Sequence, residues 1–283
     1  MRWSDIDPII MAALQEDLPA GDITSESLIP PGSSSTAVLL AKEPGVLAGI
    51  DVARRVFLKI DPRVRFGKFF EDGAAFGPGD ALAEVRGASR SLLKGERTAL
   101  NFLQRMSGIA TKTRRYVEAA GPGTRILDTR KTTPTLRRLE KYAVKMGGGR
   151  NHRFSLSDMV LIKDNHLRLV GSITEAVRRA RAGAGPRLKI EVEVTNPAEA
   201  REAAGAGADM IMLDNMPLAQ MREVVGELRG RLPVEVSGQV RLDRVRRIAG
   251  LGVDFISVGG LTHSYDSIDI SLEFQSEERE GRR

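Results

Sequence analysis

The chain has 283 residues, enough for one large domain or two ordinary ones, and its 41% hydrophobic and 28% charged content describes a globular chain with a real core. It contains no cysteine, which excludes disulfides, thiolate metal sites and cysteine nucleophiles and fits a reducing compartment. A formal net charge of +6 favours an anionic partner, whereas an aromatic content of 5% leaves few platforms for stacking on single-stranded nucleic acid.

The opening stretch, MRWSDIDPII, lacks the basic-then-apolar pattern of a signal peptide, and no apolar run approaches the length of a membrane span. A cytoplasmic chain without membrane contact is expected. A helix from Ile6 to Gln15 leads into a turn-rich EDLPAGDIT. Short strand-like pieces follow, TAVLLAKE, GVLAG and ALAEVRG, punctuated by Gly and Pro as in a small sheet domain. A helical pattern then runs from Leu92 to about Ala120, with an interruption expected at SGIAT. Within it, Arg97 falls four residues after Leu93 and three before Leu100, so it borders the apolar stripe and either snorkels or reaches into an interface.

From Arg125 the rhythm changes. RILDTRK, DMVLIKDNH, RLKIEVEV, ADMIMLDN, PVEVSG and DFISVGG alternate with amphipathic helices, the signature of βαβ units and a parallel sheet. Nearly every strand ends in polar or glycine-rich residues. In an α/β barrel all strand C-termini converge on one functional face, whereas an open sheet uses only its switch point. The pattern therefore favours a barrel, and six strands where eight close one make it incomplete. The segment SIDISLEF reads as one more strand that returns to the N-terminal sheet, and the final SEEREGRR as disordered.

The strand ends carry the chemistry. VLIKDNH (160–166) passes abruptly from a buried strand to an amine, a carboxylate and an imidazole. Asp164 and Asn165 suit an Asx-turn, which explains neither Lys163 nor His166. Glu191 and Glu193 lie two apart in IEVEV, on one face of a strand. With Asp214 they suit Mg²⁺ or ribose hydroxyls; salt bridges to Lys131, Lys163 or Lys189 are the alternative. Arg130, Lys131, Arg153 and Lys163 suggest a ring of cations for carboxylates or phosphates. In GGGRNHR a helix C-cap explains one glycine of three. SGQV and SVGGLTH suit phosphate groups or tight strand-to-helix turns.

Taken together, DTRKTTPTLRRLEKYAVKMGGGRNHR, LIKDNH, EVEV, MLDNM, SG and SVGGLTHS, with EDLPAGDIT, GVLAG and KGERTALNFLQRMSGIAT upstream, occur in an order and spacing that resembles the quinolinate phosphoribosyltransferase family over nearly the whole chain. A sister family associated with molybdate transport shares much of the pattern, but LIKDNH is not expected there. The resemblance implies an α/β protein: an N-terminal α+β open sandwich over residues 1–112, joined by the tail 267–283, and an incomplete α/β barrel over 113–266. It implies transfer of phosphoribose from phosphoribosyl pyrophosphate to quinolinate with decarboxylation, Mg²⁺ as cofactor, and at least a homodimer in which Glu96 and Arg97 reach the partner's site.

By the same resemblance, Arg130, His152, Arg153 and the partner's Arg97 hold the quinolinate carboxylates, while Lys131 and Lys163 face pyrophosphate and the substrate acid. Glu193 and Asp214 lie near the ribose hydroxyls and Mg²⁺, and Ser237, Gly238, Gly259 and Gly260 cradle the 5′-phosphate. The chain departs from the family pattern at Thr135, where glycine is usual, and at Gln239, where Gly or Asn is usual. Two other classes compete: a Schiff-base lyase with Lys163 as nucleophile, and a basic binding module with salt-sensitive affinity for nucleic acid.

Overall fold

The computed structural model describes residues 2–275; the SEEREGRR segment lies outside them. Contacts divide the chain into two compact units. The first comprises Met1–Lys112, Thr133–Gly148 and the chain from Ser264 on; the second comprises Thr113–Thr132 and Gly149–His263. Residues 133–148 and 264–266, expected in the barrel domain, thus group with the first unit. Strand alternation cannot reveal this, because the segment 133–148 contains a helix and no strand.

The first unit begins with α1 (Trp3–Asp17) and α2 (Ile23–Leu28). Ile6, Ile10 and Leu14 recur at helical spacing on α1 and are buried. The chain continues through β1 (Ser34–Ala41), β2 (Gly45–Val46), α3 (Ile50–Ile60), β3 (Arg65–Lys68), β4 (Ala75–Phe76) and β5 (Ala81–Ala88). On β1 Ala37, Leu39 and Ala41 are buried at period two, so one face lies on the core. A register shift between Leu39 and Leu40 marks an irregularity in the pairing of β1 with β5.

The long helix α4 (Ser89–Ala120) is continuous through SGIAT. Gly108 does not break it. A Cβ there would overlap the carbonyl oxygen of Asp266, so the glycine admits a backbone segment against the helix.

Next come β6 (Arg125–Leu127), α5 (Arg137–Met146), β7 (Val160–Ile162), α6 (Asp164–Val170) and α7 (Ile173–Ala184). They are followed by β8 (Ile190–Val194), α8 (Pro197–Gly205), β9 (Met210–Asp214), α9 (Leu218–Leu228) and β10 (Val234–Ser237). The described chain ends with α10 (Leu242–Ala249), β11 (Phe255–Ser257), α11 (Gly260–His263) and β12 (Ile270–Phe274). The tail strand β12 pairs antiparallel with β1, giving a four-stranded sheet in the order β12-β1-β5-β3, and β2 pairs with β4.

All six strands expected after Arg125 are present, in one sheet ordered β6-β11-β10-β9-β8-β7. Every pairing in it is parallel. Strands β7 to β11 follow one another without a reversal, and the first strand, β6, pairs with the last. A doubly wound sheet reverses its order at a switch point; this cyclic order is that of a barrel, left open between β6 and β7. Parity sends Ile190, Val192 and Val194 of β8 to one face and Glu191 and Glu193 to the other.

The close approach at Gly108 generates a prediction. Gly108→Ala is expected to cost about 1–3 kcal/mol, because a backbone atom has to move, read as a lower midpoint in denaturant unfolding. An unchanged midpoint would show that the helix and the Asp266 segment are not in contact.

Candidate active site

The barrel unit builds the site from loop anchors at its strand ends. Asp128, directly after β6, is fully buried. Its Oδ1 accepts the His152 backbone N–H at 2.9 Å, and its Oδ2 accepts the Asn151 side-chain amide. This ties the NHR loop to the DTRK strand end and brings Arg130 and Arg153 within electrostatic reach of each other. Burial, then the neighbouring Arg130 charge, pulls the Arg153 guanidinium below its ordinary range. Arg153 Nη1 also donates to the Met159 carbonyl at 3.2 Å.

Lys131 is exposed, but its backbone is held: its carbonyl accepts Thr262 Oγ1 at 2.9 Å and its N–H donates to Thr129 Oγ1 at 3.0 Å. Gly259 leaves room for the lysine stem, since a Cβ there would stand 3.0 Å from Lys131 Cδ and 3.1 Å from His263 Nε2. Gly260 opens α11, and a Cβ there meets nothing within 4 Å. Nothing local therefore demands glycine at 260.

KDNH is the start of helix α6 and not an isolated Asx-turn. The Lys163 backbone N–H donates to His166 Nδ1 at 2.9 Å, so the histidine caps the helix and fixes the lysine backbone. Asp164 in the first turn complements the helix dipole. Lys163 Nζ lies 3.2 Å from Glu193 Oε2, so one of the expected internal salt bridges forms. In the β8–β9 register Glu193 faces Met212. Asp214, two residues farther along β9, projects from the same face one step nearer the strand end, level with its β10 partner Ser237. Asp214 Oδ2 accepts the Asn215 side-chain amide at 2.9 Å.

The Ser237–Gly238 turn has a conformational requirement. Gly238 has φ +87°, and a Cβ would overlap the Asn215 side chain. Gln239 follows at φ 47°, and Thr135 sits at φ 68°. Both departures from the family pattern thus occupy left-handed backbone, where Gly and Asn are at ease and a β-branched Thr is strained.

Two acidic residues lie deeper. Glu191, on β8, and Glu235, on β10, are both fully buried. His152 Nε2 is 3.0 Å from Glu191 Oε2 and 3.7 Å from Glu235 Oε2. Ser257 Oγ donates to Glu235 Oε1. Burial pushes both carboxyls up to about 8; the negative field of Glu193 adds to the rise at Glu191, and that of Glu191 adds to the rise at Glu235. Glu235 is absent from the expected site, although PVEVSG carries the same buried-strand glutamate signal as IEVEV. The expected metal pair, Glu193 and Asp214, does not belong to this cluster. Glu96 and Arg97 lie on α4 in the first unit, Glu96 half-buried and Arg97 exposed.

Residues 109–273 match the C-terminal domain of quinolinate phosphoribosyl transferase and residues 22–107 its N-terminal domain. The chain is 44% identical over 259 residues to a probable nicotinate-nucleotide pyrophosphorylase [carboxylating] of Bacillus subtilis, covering 91% of this chain and 89% of that one. It is likewise 44% identical to the nicotinate-nucleotide pyrophosphorylase [carboxylating] of Mycobacterium leprae, covering 93% and 95%. The crystal structure of NadC from Streptococcus pyogenes superposes with a TM-score of 0.94 at 45% identity, covering 98% of this chain and 99% of that one.

The buried carboxyl pair makes stability pH-dependent. Each folded-state pKa lies above its unfolded value of 4.5, so the folded protein binds more protons in between. The contribution is complete below about pH 4.5 and is lost as pH rises through about 8. Glu235→Gln is expected to flatten the fall in unfolding free energy over that window, measured by denaturant titration at several pH values. An unchanged slope would contradict the burial assigned to the pair.

Proposed function

The chain belongs to the quinolinate phosphoribosyltransferase family, and on that premise we propose how its barrel face performs the family's reaction. Phosphoribose passes from phosphoribosyl pyrophosphate to the ring nitrogen of quinolinate; pyrophosphate and CO₂ leave, and nicotinate mononucleotide remains, a step of NAD biosynthesis. The observation that carries this reading is the loop geometry at the β6 end: Asp128 holds the His152 backbone and the Asn151 side chain, which sets Arg153 beside the strand end that carries Arg130 and Lys131. Two guanidiniums at one strand end suit a dicarboxylate, which offers a carboxylate to each.

Arg130 and Arg153 hold the quinolinate carboxylates, with His152 alongside and Arg97 of the partner subunit completing the pocket. The exposure of Arg97 supports that assignment, as does Glu96 beside it, whose carboxyl burial pushes up. Lys131 and Lys163 face pyrophosphate and the substrate acid. Ser237, Gly238, Gly259 and Gly260 surround the 5′-phosphate. The enzyme works as a homodimer in the cytoplasm; among the described residues no helix is long and apolar enough to cross a membrane.

As the ring nitrogen attacks the anomeric carbon, positive charge develops on the sugar. Glu193 and Asp214, on one face of the neighbouring strands β8 and β9, stabilise it. The same two carboxylates fit Mg²⁺, which takes one or two protein carboxylates and leaves its other positions to phosphates and water. Held by Glu193 and Asp214, the ion would supply positive charge to offset that of the leaving pyrophosphate. The pyridinium then holds the electron pair left when C2 loses CO₂, and a proton replaces the carboxylate. Positioning and electrostatics do the work, with no covalent enzyme intermediate. Lys163 supports this over a Schiff-base role: it is ion-paired with Glu193, and not desolvated among apolar groups as a nucleophilic lysine is.

Lys131→Ala and Lys163→Ala are each expected to lower kcat/KM by about 100-fold or more, with circular dichroism and thermal midpoint close to those of the parent. Near-normal formation of nicotinate mononucleotide in both variants would contradict the roles assigned to them.

A further inference from the structure

His152 belongs to the anion-binding loop by sequence, but its ring is committed to the protein at both nitrogens. Nδ1 accepts the Arg153 backbone N–H at 2.7 Å. That bond assigns the lone pair to Nδ1 and the proton to Nε2. Nε2 then donates to Glu191 Oε2 at 3.0 Å. Behind it, Glu191 Oε1 and Glu235 Oε2 are buried with no protein donor.

Three ligand atoms within 4.8 Å of one another have the spacing of a metal site. The tautomer argues against one: a ring that spends Nδ1 on a backbone N–H and carries its proton on Nε2 has no lone pair left for a cation. A purely space-filling role is equally poor, because apolar residues fill a barrel interior at lower cost than two carboxyls do. What the pair supplies, and Leu or Met cannot, is an acceptor for the Nε2 proton.

We propose that Glu191 and Glu235 are positioning residues for substrate-carboxylate recognition: from inside the barrel they lock the His152 ring and, through its Nδ1, the backbone that presents Arg153. The remaining anchors agree. The His152 N–H is held by Asp128 Oδ1 at 2.9 Å, and the Arg153 guanidinium by the Met159 carbonyl at 3.2 Å. Ser257 Oγ donates to Glu235, whose carboxyl lies within 4.8 Å of the Glu191 carboxyl and the His152 ring. His152 thus acts through Arg153 and offers the substrate no ring N–H of its own. This inference rests on Arg153 being a carboxylate ligand, as set out above.

The chain has three histidines, so imidazole ¹⁵N spectra of the full-length protein are assignable. His152 is expected as a neutral ring protonated on Nε2. Glu191→Ala should abolish that fixed tautomer, and Glu191→Gln, whose amide oxygen still accepts, should keep it. In steady-state assays Glu191→Ala should raise the KM for quinolinate about tenfold, as for a lost hydrogen bond that aims a charged group, with the KM for phosphoribosyl pyrophosphate unchanged; Gln should restore the parent value. A native His152 protonated on Nδ1 would overturn the clamp whatever the enzyme's activity. So would equal rises in both KM values, or a Gln variant as impaired as Ala. If Glu191→Ala does not fold, the native spectrum and the Gln kinetics still decide. A native protein without transferase activity would instead refute the functional reading and leave the tautomer result standing.

Discussion

Two carboxylates on alternate positions of one barrel strand constrain everything around them. Parity puts Glu191 and Glu193 on the inner face of β8, and a bare carboxylate cannot be buried there at tolerable cost. Each finds a different solution. Glu193, near the strand end, takes an ammonium, and Lys163 is held for it by the start of α6. Glu191, deeper and fully buried, takes an imidazole proton and a second carboxyl. The first solution leaves a charge pair at the mouth, and the second fixes the loop that carries Arg153. The active face is thus a consequence of where β8 places its acids.

Much of this fold was legible. All six barrel strands announced themselves by apolar runs that turn polar at the C-terminal end, and SIDISLEF by its alternation. What escaped was mostly non-periodic, although helix α3 (Ile50–Ile60), whose buried Ile50, Ala53, Val56 and Phe57 recur at helical spacing, also went unread. Strand β3, RFGK, holds two basic residues and a glycine and shows little hydrophobic signal. Gly108 looked like a helix break because sequence cannot tell a glycine that admits a neighbouring backbone from one that ends a helix. The grouping of residues 133–148 with the first unit is a matter of packing between distant parts of the chain.

The site was read unevenly, for physical reasons. Lys163 and Glu193 stood out because charge at the end of a buried strand is anomalous. Glu235 carries the same anomaly in PVEVSG but has no second acid two residues away to draw attention. His152 stands out by its place in NHR; that its ring turns inward follows only from the contact of Nε2 with the buried Glu191. Thr135, where glycine is usual, and Gln239, where Gly or Asn is usual, both lie in left-handed backbone. The pattern is kept in conformation where it is lost in residue type, and the chain carries the strain.

The most direct test of the central claim is to supply the purified protein with quinolinate, phosphoribosyl pyrophosphate and Mg²⁺ and to measure nicotinate mononucleotide and CO₂ in the same reaction. The account predicts both products in equal amounts. Formation of the nucleotide from nicotinate without CO₂, or no nucleotide from quinolinate, would contradict it.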